Sequence, residues 1–148
     1  MPQVEFHTGV ADPLVFACRL LRKASRHGAR VAVSAAPQTL QALDRALWTF
    51  DERDFVPHAR VGAAPSVVLA RTPIWLLDVD IPPPPAPTVL VNVGGEAREP
   101  WPELARLIEI VGADPEEAAA GRQRWKQYRA AGWPVLHHGA GSANNEGT

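Results

Sequence analysis

Several things are scarce in this chain, and each shortage removes a class of explanation. One cysteine, Cys18, stands in 148 residues, so the chain has no internal disulfide framework and no cysteine cluster for zinc. A reducing, intracellular setting is the natural expectation. Neither sign of charge is in excess, because 15 Lys and Arg against 16 Asp and Glu leave a formal net charge of -1. A protein that coats nucleic acid is usually strongly basic, so charge-driven binding here has to be local. Long apolar runs are missing too, the longest falling well below the roughly 20 residues that cross a bilayer. The first fifteen residues carry His7, Asp12 and Pro13 where a secretory signal would need a cationic start and an apolar stretch. The expected location is the cytoplasm, without membrane contact. Catalytic signatures are equally thin: there is no phosphate loop ending in Gly-Lys-Ser/Thr and no Gly-x-Gly-x-x-Gly after the first predicted strand. These absences leave no strong signature of a cofactor, a metal centre or a catalytic site.

What is present suits one folded domain, since the apolar content is 46 % and the length is too short for two ordinary cores. Val4-Glu5-Phe6-His7 predicts a short strand, and Asp12-Pro13 then opens a helix running to about His27, with Asp12 as N-cap and Pro13 at the first helical position. Arg30 to Ser34 predicts a second strand and Pro37 onward a second helix, with Leu40, Leu43 and Leu47 on one stripe. This alternation points to an α/β domain with parallel strands joined by a right-handed crossover. Asp51 to Pro65 shows no period and reads as an irregular connection. Val67 to Ala70 and Ile74 to Leu77 are strand-like and close enough to form an antiparallel hairpin. Asp80 to Pro87 reads as a solvated polyproline insertion at the surface. Thr88 to Val93 is the strongest strand. Pro102 is expected to start a third helix reaching Val111, and Asp114-Pro115 caps a further helix. Trp133 to Leu136 offers a last strand. The expected domain is 1–138, with a disordered tail over 139–148.

The helix after Pro115 carries the most informative pattern. Arg122, Trp125, Lys126 and Arg129 fall at i, i+3, i+4 and i+7, which puts three cations and an indole on one stripe. Like charges so close repel unless something negative lies opposite, and the indole gains from an apolar partner, so a short acidic peptide ending in an aromatic residue answers both needs. The plainer alternative makes Trp125 a core residue with cations snorkelling around it. A second candidate surface holds Trp48 and Phe55, large aromatics that either anchor an interface or pack inward. Asn92 to Glu96, a glycine-containing loop after a strong strand, could cradle the phosphate of a nucleotide in a small flavodoxin-like enzyme, or simply turn the chain. Arg19, Arg22, Lys23 and Arg26 could touch single-stranded DNA directly, although a solvated charged face is ordinary for an outer helix. His137-His138 reads as a polar chain end, and Asp78, Asp80 and Glu96 as solvated carboxylates.

Leu43-Asp44-x-Ala46-Leu47-Trp48, then Phe55-Val56-Pro57-His58, then Ile108-Glu109-Ile110-Val111, then Arg122-x-Arg124-Trp125-Lys126-x-Tyr128-Arg129-x-x-Gly132-Trp133-Pro134 resembles, in order and spacing, the chi subunit of bacterial DNA polymerase III. The resemblance implies a single three-layer α/β/α domain, Rossmann-like, with no active site of its own. It implies an accessory protein of the clamp-loader assembly that works in DNA replication. This protein would join the assembly through the psi subunit and bind the acidic C-terminal tail of single-stranded DNA-binding protein, so that DNA contact is indirect. Arg122 and Lys126 would meet the tail's carboxylates, with Arg129 on the same stripe, while Trp125 and Val111 would line the pocket for its terminal Phe. Trp48 and Phe55 would belong to the contact with psi or with a helicase-like partner competing for that surface. The proline-rich insertion 82–87 has no counterpart in the family pattern.

Overall fold

In the computed structural model the described residues are 2–50 and 55–139. They form seven strands and four helices: β1 Gln3–Val10, α1 Pro13–Arg26, β2 Val31–Ala35, α2 Pro37–Thr49, β3 His58–Arg60, α3 Ser66–Arg71, β4 Ile74–Leu76, β5 Val89–Val93, β6 Arg106–Gly112, α4 Pro115–Ala130 and β7 Val135–His138. All seven strands lie in one parallel sheet of order β3-β4-β2-β5-β6-β1-β7. Helices α1 and α2 pack on one face around Leu21, Leu43, Leu47, Ile74 and Ile110. Helix α4 covers the other face, where Val4, Phe6, Leu107, Val111 and Tyr128 form a second core layer together with Leu69 of α3 and Trp75 of β4. The result is a three-layer α/β/α fold, with α1 and α4 entered through the expected Asp-Pro caps. Asp12 Oδ1 accepts from the Val15 amide at 3.2 Å, and Asp114 Oδ2 accepts from Glu116 and Glu117 at 3.1 and 3.3 Å.

Four expectations are corrected. Val67 to Ala70 is not a strand and there is no hairpin: α3 occupies 66–71, with Leu69 buried while Val67 and Val68 face outward. A four-residue apolar run has too little length to separate a helix turn from a strand. The helix expected from Pro102 to Val111 is instead a loop followed by β6, a strand with Leu107 to Val111 buried on both sheet faces. A strand enclosed by helices on both sides loses the alternating pattern, and Glu109 imitates the polar side of a helix. The connection 51–65 also holds a short strand, β3, which pairs with β4. The proline-rich segment is only partly solvated, because Pro82 and Pro87 are buried and the Pro87 carbonyl accepts a 2.8 Å bond from the Trp101 indole. Of the expected tail only Gly139 is described; residues 140–148 lie outside the described ones.

Candidate functional site

Helix α4 has two faces with different chemistry. Gly121, Arg124 and Tyr128, at i, i+3 and i+7, point into the sheet, while Arg122, Trp125, Lys126 and Arg129 remain on the water side. Gly121 is set by close approach: a Cβ there would lie 2.7 Å from Val111 Cγ1. Glycine weakens a helix by roughly 0.5–1 kcal/mol relative to alanine. Overpacking against a branched side chain costs about 1–3 kcal/mol, so the close approach decides the residue.

Beside this contact lies a hollow of about 450 Å³ at the carboxyl ends of β1 and β6. Its floor and walls are apolar, from Phe6, Val111, Ala118, Gly121 and the Trp125 indole, and Arg122 stands at its edge. Val111 is buried, whereas the Trp125 indole is exposed at 37 % and forms the outer wall. Of the predicted residues, Val111, Arg122 and Trp125 therefore meet at one hollow. Lys126 and Arg129 do not line it. They are exposed beside it, and the Arg129 guanidinium sits 5.0 Å from the Trp125 ring centre, a cation–π contact that holds the indole upright.

Beneath the stripe is a buried polar network absent from the sequence reading. Glu109, fully buried, accepts from Arg124 Nε at 2.9 Å, from the Tyr128 hydroxyl at 2.6 Å and from Asn92 Nδ2 at 3.0 Å. Ser34 then donates to Asn92 Oδ1 at 3.0 Å. Burial pushes the Glu109 carboxyl up, while the Arg124 charge and the bonds from Tyr128, Asn92 and Arg124 pull it back. Burial and the neighbouring Glu109 likewise raise the Tyr128 phenol, keeping it a donor. The network joins β2, β5, β6 and α4, so it fixes α4 on the sheet and thereby the position of Arg122 and Trp125. The signal was available: Gly121, Arg124 and Tyr128 share a helix stripe distinct from the one that carries the exposed cations.

Trp48 and Phe55 come together on a separate surface. Their rings are 4.9 Å apart, and Trp48 meets His58 edge-on at 5.2 Å. His58 donates from Nδ1 to the Val56 carbonyl at 2.7 Å and sets Nε2 2.8 Å from the Asp44 carboxylate, so its ring is a rigid support. Trp48 and Phe55 are 59 % and 49 % exposed, which excludes the reading of both as core residues.

The other candidates receive structural explanations. In the loop after β5, Asn92 exchanges bonds with Gly95, and a Cβ at Gly95 would lie 2.7 Å from Asn92 Oδ1 and 3.1 Å from the Ala35 Cα. The glycine thus serves close packing. The neighbouring cleft presents Asp80, Glu96 and Glu99, and Arg98 there is spent on the carbonyls of Leu77, Val79 and Asp80. Such a rim repels a nucleotide phosphate. Asp78 pins the turn after β3 through the Gly62 amide and Arg60. On α1 the Arg22 guanidinium packs over Phe50 at 5.2 Å, so part of the basic face serves helix packing. Cys18 is buried, and desolvation followed by Asp12 pushes its thiol up to about 11, which keeps it protonated in the core. Glu5, His7 and His138 bring possible ligand atoms within 4.8 Å, yet Arg106 already holds Glu5 through contacts of 2.8 and 2.7 Å.

The fold and the hollow define a three-layer α/β/α domain that presents a cation-edged apolar recess at one end of its sheet and a paired aromatic patch elsewhere. The sequence profile of the family described as DNA polymerase III chi subunit, HolC, matches residues 1–136. The chain is 32 % identical over 143 residues to the DNA polymerase III subunit chi of Pseudomonas aeruginosa, covering 93 % of this chain and 96 % of that protein. It is 28 % identical over 127 residues to the subunit of the same name from Haemophilus influenzae, covering 84 % and 85 %. The chain belongs to the DNA polymerase III chi subunit family, and its place is in a polymerase complex that acts in DNA replication. No described helix is long and apolar enough to cross a membrane.

Proposed function

We propose that this protein is a non-catalytic, cytoplasmic accessory subunit that couples the polymerase to single-stranded DNA-binding protein by capturing that protein's acidic C-terminal tail, and that it is held in the clamp-loader assembly by the psi subunit. The observation that carries the reading is the hollow beside Arg122: an apolar recess with ample room for an aromatic ring, next to a guanidinium and flanked by Lys126 and Arg129. The mechanism is C-terminal carboxylate capture with a buried aromatic anchor. Arg122 offers a planar fork that matches a carboxylate, Lys126 a mobile point charge, and Val111 with Trp125 an apolar contact that salt does not screen. DNA is reached through the captured protein. Calorimetric titration with an acidic peptide ending in Phe, its C-terminally amidated form and its Phe-deleted form tests this directly. Both altered peptides should bind at least tenfold more weakly; equal affinity for all three would sink the reading.

Trp48 and Phe55 are assigned to the psi contact, or to a helicase-like partner using the same patch, because two exposed and mutually packed aromatics match the anchors of protein interfaces. Trp48→Ala is expected to weaken psi binding by about 2 kcal/mol or more, roughly thirtyfold, with tail-peptide affinity unchanged. Immobilised psi and free peptide measured on the same variant separate the two surfaces, and a loss of peptide binding would contradict their independence.

A further inference from the structure

The hollow has a polar wall on the β7 side, across from α4 on the same sheet face. His137 of the edge strand β7 lines it together with Thr8 and Gly9 of β1. The Thr8 hydroxyl and His137 Nε2 are 2.6 Å apart, a contact between residues 129 positions apart in sequence that holds the imidazole across the end of the β1–β7 ladder. The backbone is bent to make this wall. His7 pairs with Ile110 and Val10 with Gly112, so β1 places one more residue than β6 in that interval, and Gly9 takes φ +66. Such a bulge leaves the extra residue out of the ladder and re-aims a side chain, here at the mouth of the hollow.

Among the described residues lining the hollow, Arg122 and His137 are the titratable ones, and none is a carboxylate. Of the neighbouring charged groups, Lys126 and Arg129 stand beside the hollow on α4, the Glu117 carboxylate lies against Gly112 at its rim, and on the opposite sheet face the His7 and His138 rings stack at 4.8 Å near Glu5. A peptide whose terminal carboxylate meets Arg122 carries further acidic side chains upstream, and His137 faces them from the β7 side of the hollow, across from the cations of α4.

Resting on the tail-capture reading above, we propose that His137, positioned by Thr8, is a second anion contact that receives an upstream carboxylate of the acidic tail and makes its capture pH-responsive. An imidazole gains its charge within the pH range of roughly 5 to 8, whereas peptide carboxylates remain ionised over most of it. Arg122 is charged throughout. Acidification therefore strengthens the His137 contact and leaves the Arg122 contact unchanged.

The test is the affinity of the acidic, Phe-ending peptide from about pH 5.5 to about pH 8. It is measured for the wild type, His137→Gln, His137→Lys and Arg122→Ala. The wild type should tighten by about two- to fivefold toward the acid end, as for a partly exposed ion pair. His137→Gln should keep the pH 8 affinity and lose the slope. His137→Lys should hold the tight value across the range, which a merely structural histidine would not predict. Replacing the peptide's upstream acidic residues by amides should flatten the wild-type slope as well. A slope that survives in His137→Gln, or no slope in the wild type, overturns this proposal while amidation-sensitive binding leaves the docking reading standing. If the wild type ignores peptide amidation at every pH, both fall together.

Discussion

Arg122→Ala is expected to lower affinity for an acidic peptide ending in Phe by about ten- to a hundredfold, with the thermal midpoint within a few degrees of wild type. The size follows from the loss of one charge-assisted hydrogen bond, roughly 1.5–3 kcal/mol. The unchanged stability follows from position, because Arg122 is exposed at the edge of the hollow and no part of the core depends on it. Remaining binding should come from the apolar floor at Val111 and Trp125 and should be less sensitive to salt than wild-type binding. Fluorescence or calorimetric titration at two salt concentrations, paired with a melt, reads all three quantities. Wild-type affinity in the variant would remove Arg122 from the site.

Two residues further on, Arg124→Leu should do the opposite. Removing one partner of a buried ion pair leaves an uncompensated charge, at about 3–5 kcal/mol. For a domain of this length that lowers the thermal midpoint by roughly 10 °C. The loss has a pH signature. Burial already raises the Glu109 carboxyl and Arg124 is the largest influence opposing it, so the variant's native state holds a proton on Glu109 more readily than the unfolded chain does. Stability from such a group is full below the ordinary carboxylate range and is lost as pH rises through the raised native value. The deficit of Arg124→Leu should therefore shrink on acidification and grow toward neutral pH. Adding Glu109→Gln removes the stranded charge and should recover much of the loss at neutral pH. Denaturant unfolding of the three proteins at two pH values checks this. A pH-independent deficit, or a deficit unaffected by Glu109→Gln, would mean that the pair is not what holds α4 to the sheet.

The contrast between these neighbouring arginines shows where the sequence was readable. Asp12-Pro13 and Asp114-Pro115 announce their helices because a side-chain acceptor and a proline at the first turn each satisfy a local requirement. The exposed stripe of α4 follows from the helical period alone. Leu107 to Val111 was opaque for the reverse reason: its burial on both faces is imposed by α1 and α4, which no window of sequence contains. Glu109 interrupts an apolar run, and its buried place opposite Arg124 and Tyr128 is visible only in the fold. Val67 and Val68 are apolar yet exposed, so their hydrophobicity misled about both state and burial. Of the hollow itself, Arg122 and Trp125 follow from the helical stripe and Val111 from the family resemblance, while Phe6, Thr8 and Gly9 were not singled out and His137 was read as a polar chain end. The sheet order that sets β1 between β6 and β7 brings them there, and a side chain such as His137 cannot be separated from a polar chain end until that order is known.

The central claim is that one place on this molecule, the recess between α4 and the ends of β1 and β6, receives an acidic chain terminus. The most direct measurement is the map of backbone amide shifts in isotope-labelled protein as the acidic, Phe-ending peptide is added. Shifts should concentrate at 111–113, 118–126 and 137, reach saturation together, and disappear with the amidated peptide. Saturable shifts centred instead on the Trp48–Phe55 patch or on the cleft beside Asn92 would contradict the assignment.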